Sequence, residues 1–255
     1  MVSSNAGSSR QKQHYEAIHD AYEAHYFDAT ALAYRNDFIL AKLLAGLNLN
    51  DRDVADLASG SGYNSQLLIE QFPRARLTGF DISQRACDAY QRAVGAPAVL
   101  VDLTSSLDFG PQFDVLLIVG GLHHCVSNLD QAFANAAMLL RPGGYLLMVE
   151  PNQRFLLEAV RQYWYRADRY FDHLTEHPLD YDELVDRYAG LFQPIDVRYF
   201  GGPAYYFILN SLVTRIPVCF KAALAKILWP LERGWNRLPG KILFPAFAAR
   251  WQRLP

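Results

Sequence analysis

The chain reads as an α/β protein: a doubly wound, Rossmann-like, mostly parallel seven-stranded sheet with helical lid insertions. Three stretches predict this. The first, Asp53-Val54-Ala55-Asp56-Leu57, is a short, largely apolar run. It passes through Ala58-Ser59-Gly60-Ser61-Gly62 into a helical pattern with Leu67, Leu68 and Phe72 on one face, for which Asn64 or Ser65 is the expected N-cap. A strand, a glycine-rich turn and a helix N-terminus in succession leave bare backbone N–H groups open to a ligand. The second is a strand over residues 75–80 that ends in Asp81, a carboxylate placed to accept two ribose hydroxyls. The third, residues 113–119, is apolar almost throughout, as a central parallel strand buried on both faces must be.

Length and composition allow one core with insertions. The chain has 255 residues, of which 51% are hydrophobic and 20% charged, and a formal net charge of −2. That balance gives no overall pull toward nucleic acid. Cys87, Cys125 and Cys219 are widely spaced and form no C-x-x-C, which argues for reduced thiols, a cytoplasmic setting and no metal site. Residues 1–10 are small and polar, expected to form a disordered tail rather than a signal peptide.

Residues 11–26 carry a helical pattern, and a second helix is expected from about 37 to 47, making 11–50 an N-terminal cap on a core at 51–152. Ser83 caps a helix that runs to Val94, with Gly95 as its stop. Strand three covers 98–101 and leads to Asp102. Asn128 starts a helix that stops at Pro142-Gly143-Gly144, and strand five follows. Residues 153–190 form an aromatic-rich helical lid with Phe155, Leu156, Val160, Tyr163, Trp164, Tyr165, Tyr170 and Phe171. In it Asp180 and Glu183 make a capping box. Strand six is expected at 195–200 and strand seven at 242–251, within a terminal unit at 191–255. Between them lies a hydrophobic, basic insertion at 201–241, interrupted by Pro203, Pro217 and Pro230.

Asp56 at the end of the first strand, the Ala58-Ser59-Gly60-Ser61-Gly62 turn, the Gly120-Gly121-Leu122-His123-His124 segment and Leu140-Arg141-Pro142-Gly143-Gly144 occur in a particular order. In that order they resemble the class I S-adenosylmethionine-dependent methyltransferases. Their first motif is acidic-x-G-x-G-x-G, from which this chain departs by carrying Ala58 where the first glycine is usual. A methyl group is tolerable there if φ stays negative. The resemblance implies S-adenosylmethionine as cofactor, held by Tyr34, Asp56, Ala58, Ser59, Gly60, Gly62, Asp81, Ile82, Asp102, Leu103, Val119 and Gly120. Tyr34 ends a Phe27-Asp28-x-x-Ala31-x-x-Tyr34 segment that in the family folds over the cofactor, its last tyrosine reaching the methionine carboxylate. Packing of the same aromatic helix on the sheet edge is the alternative, equally weighted. Asp102 corresponds to the acidic residue facing the adenine amino group, or else caps its own turn.

The implied chemistry is in-line transfer of a sulfonium methyl to a small acceptor of hydrophobic or amphipathic character, at oxygen or carbon. For a hydroxyl acceptor, His123 or His124 is the candidate base, since neutral imidazole titrates near working pH. Three other readings stand beside it: a same-fold enzyme that uses the cofactor for another reaction, an NAD-linked oxidoreductase, and a non-catalytic subunit that activates a partner. Gly60-x-Gly62-x-x-Ser65 is a weak NAD fingerprint, and no Tyr/Lys pair accompanies it. A nucleic-acid acceptor is disfavoured by the net −9 of residues 1–198. It is disfavoured too by Val119-Gly120-Gly121-Leu122 standing where amino-methylating nucleic-acid enzymes carry an Asn/Asp-Pro-Pro-aromatic motif. From Tyr199 onward there are eight basic residues and one acidic, a net +7, interleaved with Phe220, Leu224, Ile227 and Leu228. That is the pattern of helices in a membrane interface, with an anionic membrane surface as partner through 201–241. Packing as a lid or as a homodimer element is the alternative.

Overall fold

In a computed structural model, residues 25–110, 112–167 and 177–255 are described, with 164–167 described in backbone only. The expected N-terminal tail, most of the helix from Gln11, and the aromatics Tyr170 and Phe171 lie outside the described residues, as do the Trp164 and Tyr165 side chains.

Seven strands form one sheet in the order β3-β2-β1-β4-β5-β7-β6. They are β1 (Asp53–Leu57), β2 (Arg76–Asp81), β3 (Ala98–Leu100), β4 (Phe113–Val119), β5 (Leu140–Pro151), β6 (Phe192–Phe200) and β7 (Ala246–Arg253). The first five are parallel, and β7 inserts antiparallel between β5 and β6. Alternation along β4 shows why the sheet is covered on both sides. Leu116 and Ile118 enter one apolar cluster with Phe133 and Trp251, while Val115 and Leu117 enter another with Leu68, Phe38 and Ile208.

The helix expected to stop at Pro142-Gly143-Gly144 ends at Leu139, and β5 takes in those three residues; five further differences have local reasons. The helix after β1, α3 (Tyr63–Gln71), is capped by Gly62 at φ 86, because Asn64 and Ser65 are buried inside its first turn. The N-terminal helix begins earlier than residue 37. Asp28 accepts hydrogen bonds from the N–H groups of Thr30 (3.0 Å) and Ala31 (3.3 Å), which starts α1 (Ala29–Tyr34). That helix passes through a π-helical turn (Arg35–Leu40) into α2 (Ala41–Leu43). β6 starts at Phe192, and its register shifts between Pro194 and Asp196, leaving Ile195 47% exposed. β7 starts at Ala246, after Pro245. Pro230 does not break the basic insertion. It sits inside α9 (Val218–Trp235), where the Lys226 carbonyl deprived of its partner belongs to an exposed residue and is open to water.

The remaining helices are α4 (Gln84–Val94), α5 (Leu129–Leu139), α6 (Glu158–Ala167), α7 (Tyr181–Tyr188) and α8 (Ser211–Thr214). The caps expected of Ser83 and Asp180 are present. Helix α9 is tied to α1 by the buried carboxylate of Glu232. It accepts the Tyr34 hydroxyl at 2.6 Å and the N–H groups of Gly202 and Ala204, each at 2.9 Å. Removing it strands three buried donors, so Glu232→Ala should cost about 3–5 kcal/mol in urea unfolding. Tyr34→Phe leaves the carboxylate its two amides and should cost about 1–2 kcal/mol. Equal, small losses would mean that water reaches this junction.

Candidate active site

Parallel strands present their carboxyl ends to one edge, and β1, flanked by β2 and β4, marks the point where the strand order reverses. Most of the expected residues gather there. Gly60 (φ 53) and Gly62 (φ 86) take left-handed conformations, and the Gly60 N–H donates to Asp81 Oδ2 at 2.8 Å. Asp81 Oδ1 accepts the Ser83 N–H at 2.9 Å, so the turn and the strand-end carboxylate form one unit. The Val101 N–H donates to the Asp81 carbonyl at 2.8 Å, which sets Asp102 one strand further along the same edge.

Ala58 corrects the sequence reading, which required negative φ. It has φ 52, in the left-handed region that glycine occupies without penalty. Its methyl group is accommodated because residue 121 is glycine: a Cβ at Gly121 would lie 2.7 Å from it. Left-handed alanine costs about 1 kcal/mol relative to glycine. Ala58→Gly should therefore raise the thermal midpoint by roughly 2–4 °C in a chain of this size. A lowered midpoint would show that the methyl contact across the β1–β4 crevice outweighs the backbone strain.

Asp56 is buried and accepts from Ser65 Oγ at 2.7 Å, while its Oδ1 has no hydrogen-bond partner. Burial pushes its carboxyl up to about 7, partly offset by the Ser65 hydrogen bond. The Ser59 hydroxyl is likewise buried without a partner. Two orphaned polar atoms beside a left-handed glycine turn are what a site built for a polar ligand leaves in its bare form. The N-terminal segment lies against this turn. Phe27 stacks on Tyr63 with ring centroids 4.3 Å apart, and the Arg35 guanidinium sits 4.5 Å over the Phe27 ring and 3.5 Å from Asn64 Oδ1.

Beyond β4 the chain curls into a short 3₁₀ turn (Leu122–His124) around Glu150, the residue near the end of β5. Glu150 is buried. It accepts the N–H groups of Gly121 (3.1 Å), Leu122 (2.8 Å) and His123 (3.2 Å), and lies 2.8 Å from His123 Nδ1. Burial pushes Glu150 up to about 7 against the pull of those N–H groups, and pushes the His123 imidazole down to about 3. A neutral ring donating from Nδ1 to the carboxylate satisfies both groups. The rings of His123 and His124 are 3.9 Å apart, and the His123 edge faces Gly120, where a Cβ would lie 3.7 Å from Cε1.

Three expected residues are engaged elsewhere. The Tyr34 side chain is fully buried against Phe38 and Trp229 and its hydroxyl is held by Glu232, which follows the packing alternative. Asp102 Oδ1 accepts the Thr104 N–H (2.8 Å) and hydroxyl (2.6 Å), capping its own turn. The Leu103 side chain belongs to the core. Ile82 is half-buried after β2. Two participants escaped the sequence reading. Arg35 directly follows the aromatic segment, and Glu150 closes the apolar run of β5; an acidic residue ending a buried strand was the available signal.

Residues 55–146 match a family described as a methyltransferase domain. That match runs from β1 into β5 and takes in the glycine turn, Asp81 and the turn after β4. A trans-aconitate 2-methyltransferase of Acidovorax sp. (strain JS42) is 33% identical over 103 residues, 40% of this chain and 39% of that protein. The chain thus spans about 39% of the length of the curated relative it matches. Among solved structures, the 1,6-didemethyltoxoflavin-N1-methyltransferase of Burkholderia thailandensis superposes with a TM-score of 0.60 at 16% identity, covering 100% of this chain and 92% of that one. The [4+2]-cyclase SpnF superposes with a TM-score of 0.63 at 16% identity, covering 97% of each chain. At these identities the two superpositions establish the fold and not its chemistry.

Proposed function

We propose that the chain binds S-adenosylmethionine in the crevice between the β1 and β4 turns and transfers its methyl group to a small hydrophobic or amphipathic acceptor, at oxygen or carbon. The observation that carries this reading is the joined Gly60–Asp81 unit with the orphaned Asp56 and Ser59 oxygens beside it. The methyltransferase-domain match over the same residues, and a relative named for a small-molecule acceptor, support it.

When bound, S-adenosylmethionine supplies a methyl group on an already activated sulfonium, so the protein's tasks are alignment and exclusion of water. Asp81, which accepts the Gly60 and Ser83 N–H groups, sets its carboxylate at the strand end where it meets the ribose hydroxyls. The backbone at Val119 and Gly120 is suited to the cofactor's ammonium group, and the Arg35 guanidinium to its carboxylate. Asp102 Oδ2, which holds only the distant Ser105 hydroxyl at 3.5 Å, keeps capacity for an adenine amino group. His123 serves as a positioning residue, because its Nδ1 is committed to Glu150 and burial keeps the ring neutral. His124, its ring tilted against that of His123, is the proton acceptor when the acceptor atom is a hydroxyl. The acceptor lies toward Phe155, Tyr206 and Arg161. There the Tyr206 hydroxyl is buried without a partner and the Phe155 and Tyr206 ring centroids are 6.5 Å apart. An aromatic floor with one hydrogen-bond handle selects an amphipathic molecule.

Calorimetry with S-adenosylmethionine and NAD in parallel tests the cofactor. Binding of the first and not the second is expected, with at least about tenfold weaker binding in Asp81→Ala, since each charge-assisted hydrogen bond contributes ~1.5–3 kcal/mol. Tight NAD binding, or an unchanged Asp81→Ala titration, would overturn the assignment. Against a hydroxyl acceptor found by S-adenosylhomocysteine release, His124→Ala should lower turnover by about 100-fold at unchanged cofactor affinity. Glu150→Gln should lower thermal stability and turnover together. The reverse pattern would exchange the two roles.

A further inference from the structure

Helix α9 is 18 residues long, and the only side chains it buries fully are the charged ones, Lys221 and Glu232. Eleven residues apart, they fall about 20° from one another at 100° per residue and point into the protein. Lys221 pairs with Asp28 and the His25 carbonyl; Glu232 takes the donors described above. A face about 100–120° further round the helix is apolar and open. Phe220 (59% exposed), Ile227 (66%) and Leu231 (53%) follow one another at spacings of seven and four residues, within about 40° of a common line. Lys226 and Arg233, seven apart and both exposed, run together about 120–140° round the helix from that line, on the side away from Lys221 and Glu232. With Glu232 turned inward, α9 shows the solvent no acidic side chain.

We propose that α9 is an interfacial helix that docks this protein on an anionic lipid bilayer. The apolar stripe enters the acyl boundary while Lys226 and Arg233 lie at the level of the headgroups. No helix among the described residues is long and apolar enough to cross a membrane, so the helix lies in the interface. The charge of the rest of the chain favours the same orientation. The net −9 of residues 1–198 repels an anionic surface, while the net +7 from Tyr199 onward is drawn to it. A second copy is a poorer occupant, because two-fold pairing of α9 brings Lys226 and Arg233 of both copies to one interface with no exposed acid on the helix to meet them. A second exposed apolar pair lies outside α9. The Leu156 N–H donates to the Ile242 carbonyl at 2.7 Å, and these two side chains are 67% and 52% exposed.

The test is co-sedimentation of the full chain with phosphatidylcholine vesicles, with and without about 30% phosphatidylserine, at low and high salt. Binding only to the phosphatidylserine vesicles is expected, and loss of it in high salt. Near the surface each cation contributes about fivefold, so Lys226→Gln with Arg233→Gln should weaken binding by roughly 25-fold. Ile227→Glu, at a site whose side chain points to solvent, should abolish binding while circular dichroism and cofactor titrations stay unchanged. No binding to anionic vesicles overturns the proposal, as does binding that ignores the three substitutions. A dimer in sedimentation velocity that dissociates in Ile227→Glu, with no vesicle binding, would assign the stripe to a second copy instead. Because cofactor titration is read separately, these outcomes do not depend on the methyl-transfer assignment.

Discussion

The site is organised around the carboxylate of Glu150. A buried carboxylate must be met by donors, and here four converge on it: three consecutive backbone N–H groups and one imidazole nitrogen. The chain after β4 can supply those donors only by curling into a tight turn. The curl fixes the direction of Gly120, brings the His123 ring to its edge and sets the His124 ring tilted against it. Gly121 is then pressed so close to Ala58 that no side chain fits between them. The two lips of the crevice therefore share one spacing: the β4 lip set by Glu150, the β1 lip by the left-handed turn from Ala58 to Gly62.

The same device recurs at the other end of the structure. Glu232 collects the Tyr34 hydroxyl and the amides at the start of the π-helical turn (Tyr205–Leu209), and three turns earlier on the same helix face Lys221 meets Asp28. Together the two side chains fasten α9 to the segment whose Phe27 and Arg35 lie against the first helix after the glycine turn. The helix that carries the exposed apolar stripe is thus joined, through buried polar contacts, to the segment that lies against the glycine turn. Its inward side combines Lys221 and Glu232 with Leu224, Leu228 and Trp229 packed on the core, which leaves Phe220, Ile227 and Leu231 facing outward.

What could be read from the residues follows the range of the interactions involved. The strand–turn–helix at Asp56, the strand end at Asp81 and the apolar β4 are local patterns, and they were legible together with the sheet they belong to. Ser83 and Asp180 cap their own helices two or three residues away and were legible for the same reason. Glu150 meets partners 27 to 29 residues earlier, and Tyr34 meets Glu232 across 198 residues; no periodicity in either segment encodes such a meeting. The sign of φ at Ala58 was hidden for a different reason. Alanine is compatible with either turn, and only the absence of a side chain at Gly121, on another strand's loop, makes room for the left-handed one. The inward turn of Lys221 and Glu232 needs the partners as well as the helix period, so the stripe on α9 was visible while its clean exposure was not.

The central claim is that the edge joining the β1, β2 and β4 turns is one cofactor site. Amide hydrogen exchange with and without saturating S-adenosylhomocysteine tests it most directly. The account predicts new protection at residues 59–62, 81–83 and 119–122 together, with β6, β7 and α9 unchanged. Protection at only one of those turns, or concentrated elsewhere in the chain, would contradict it.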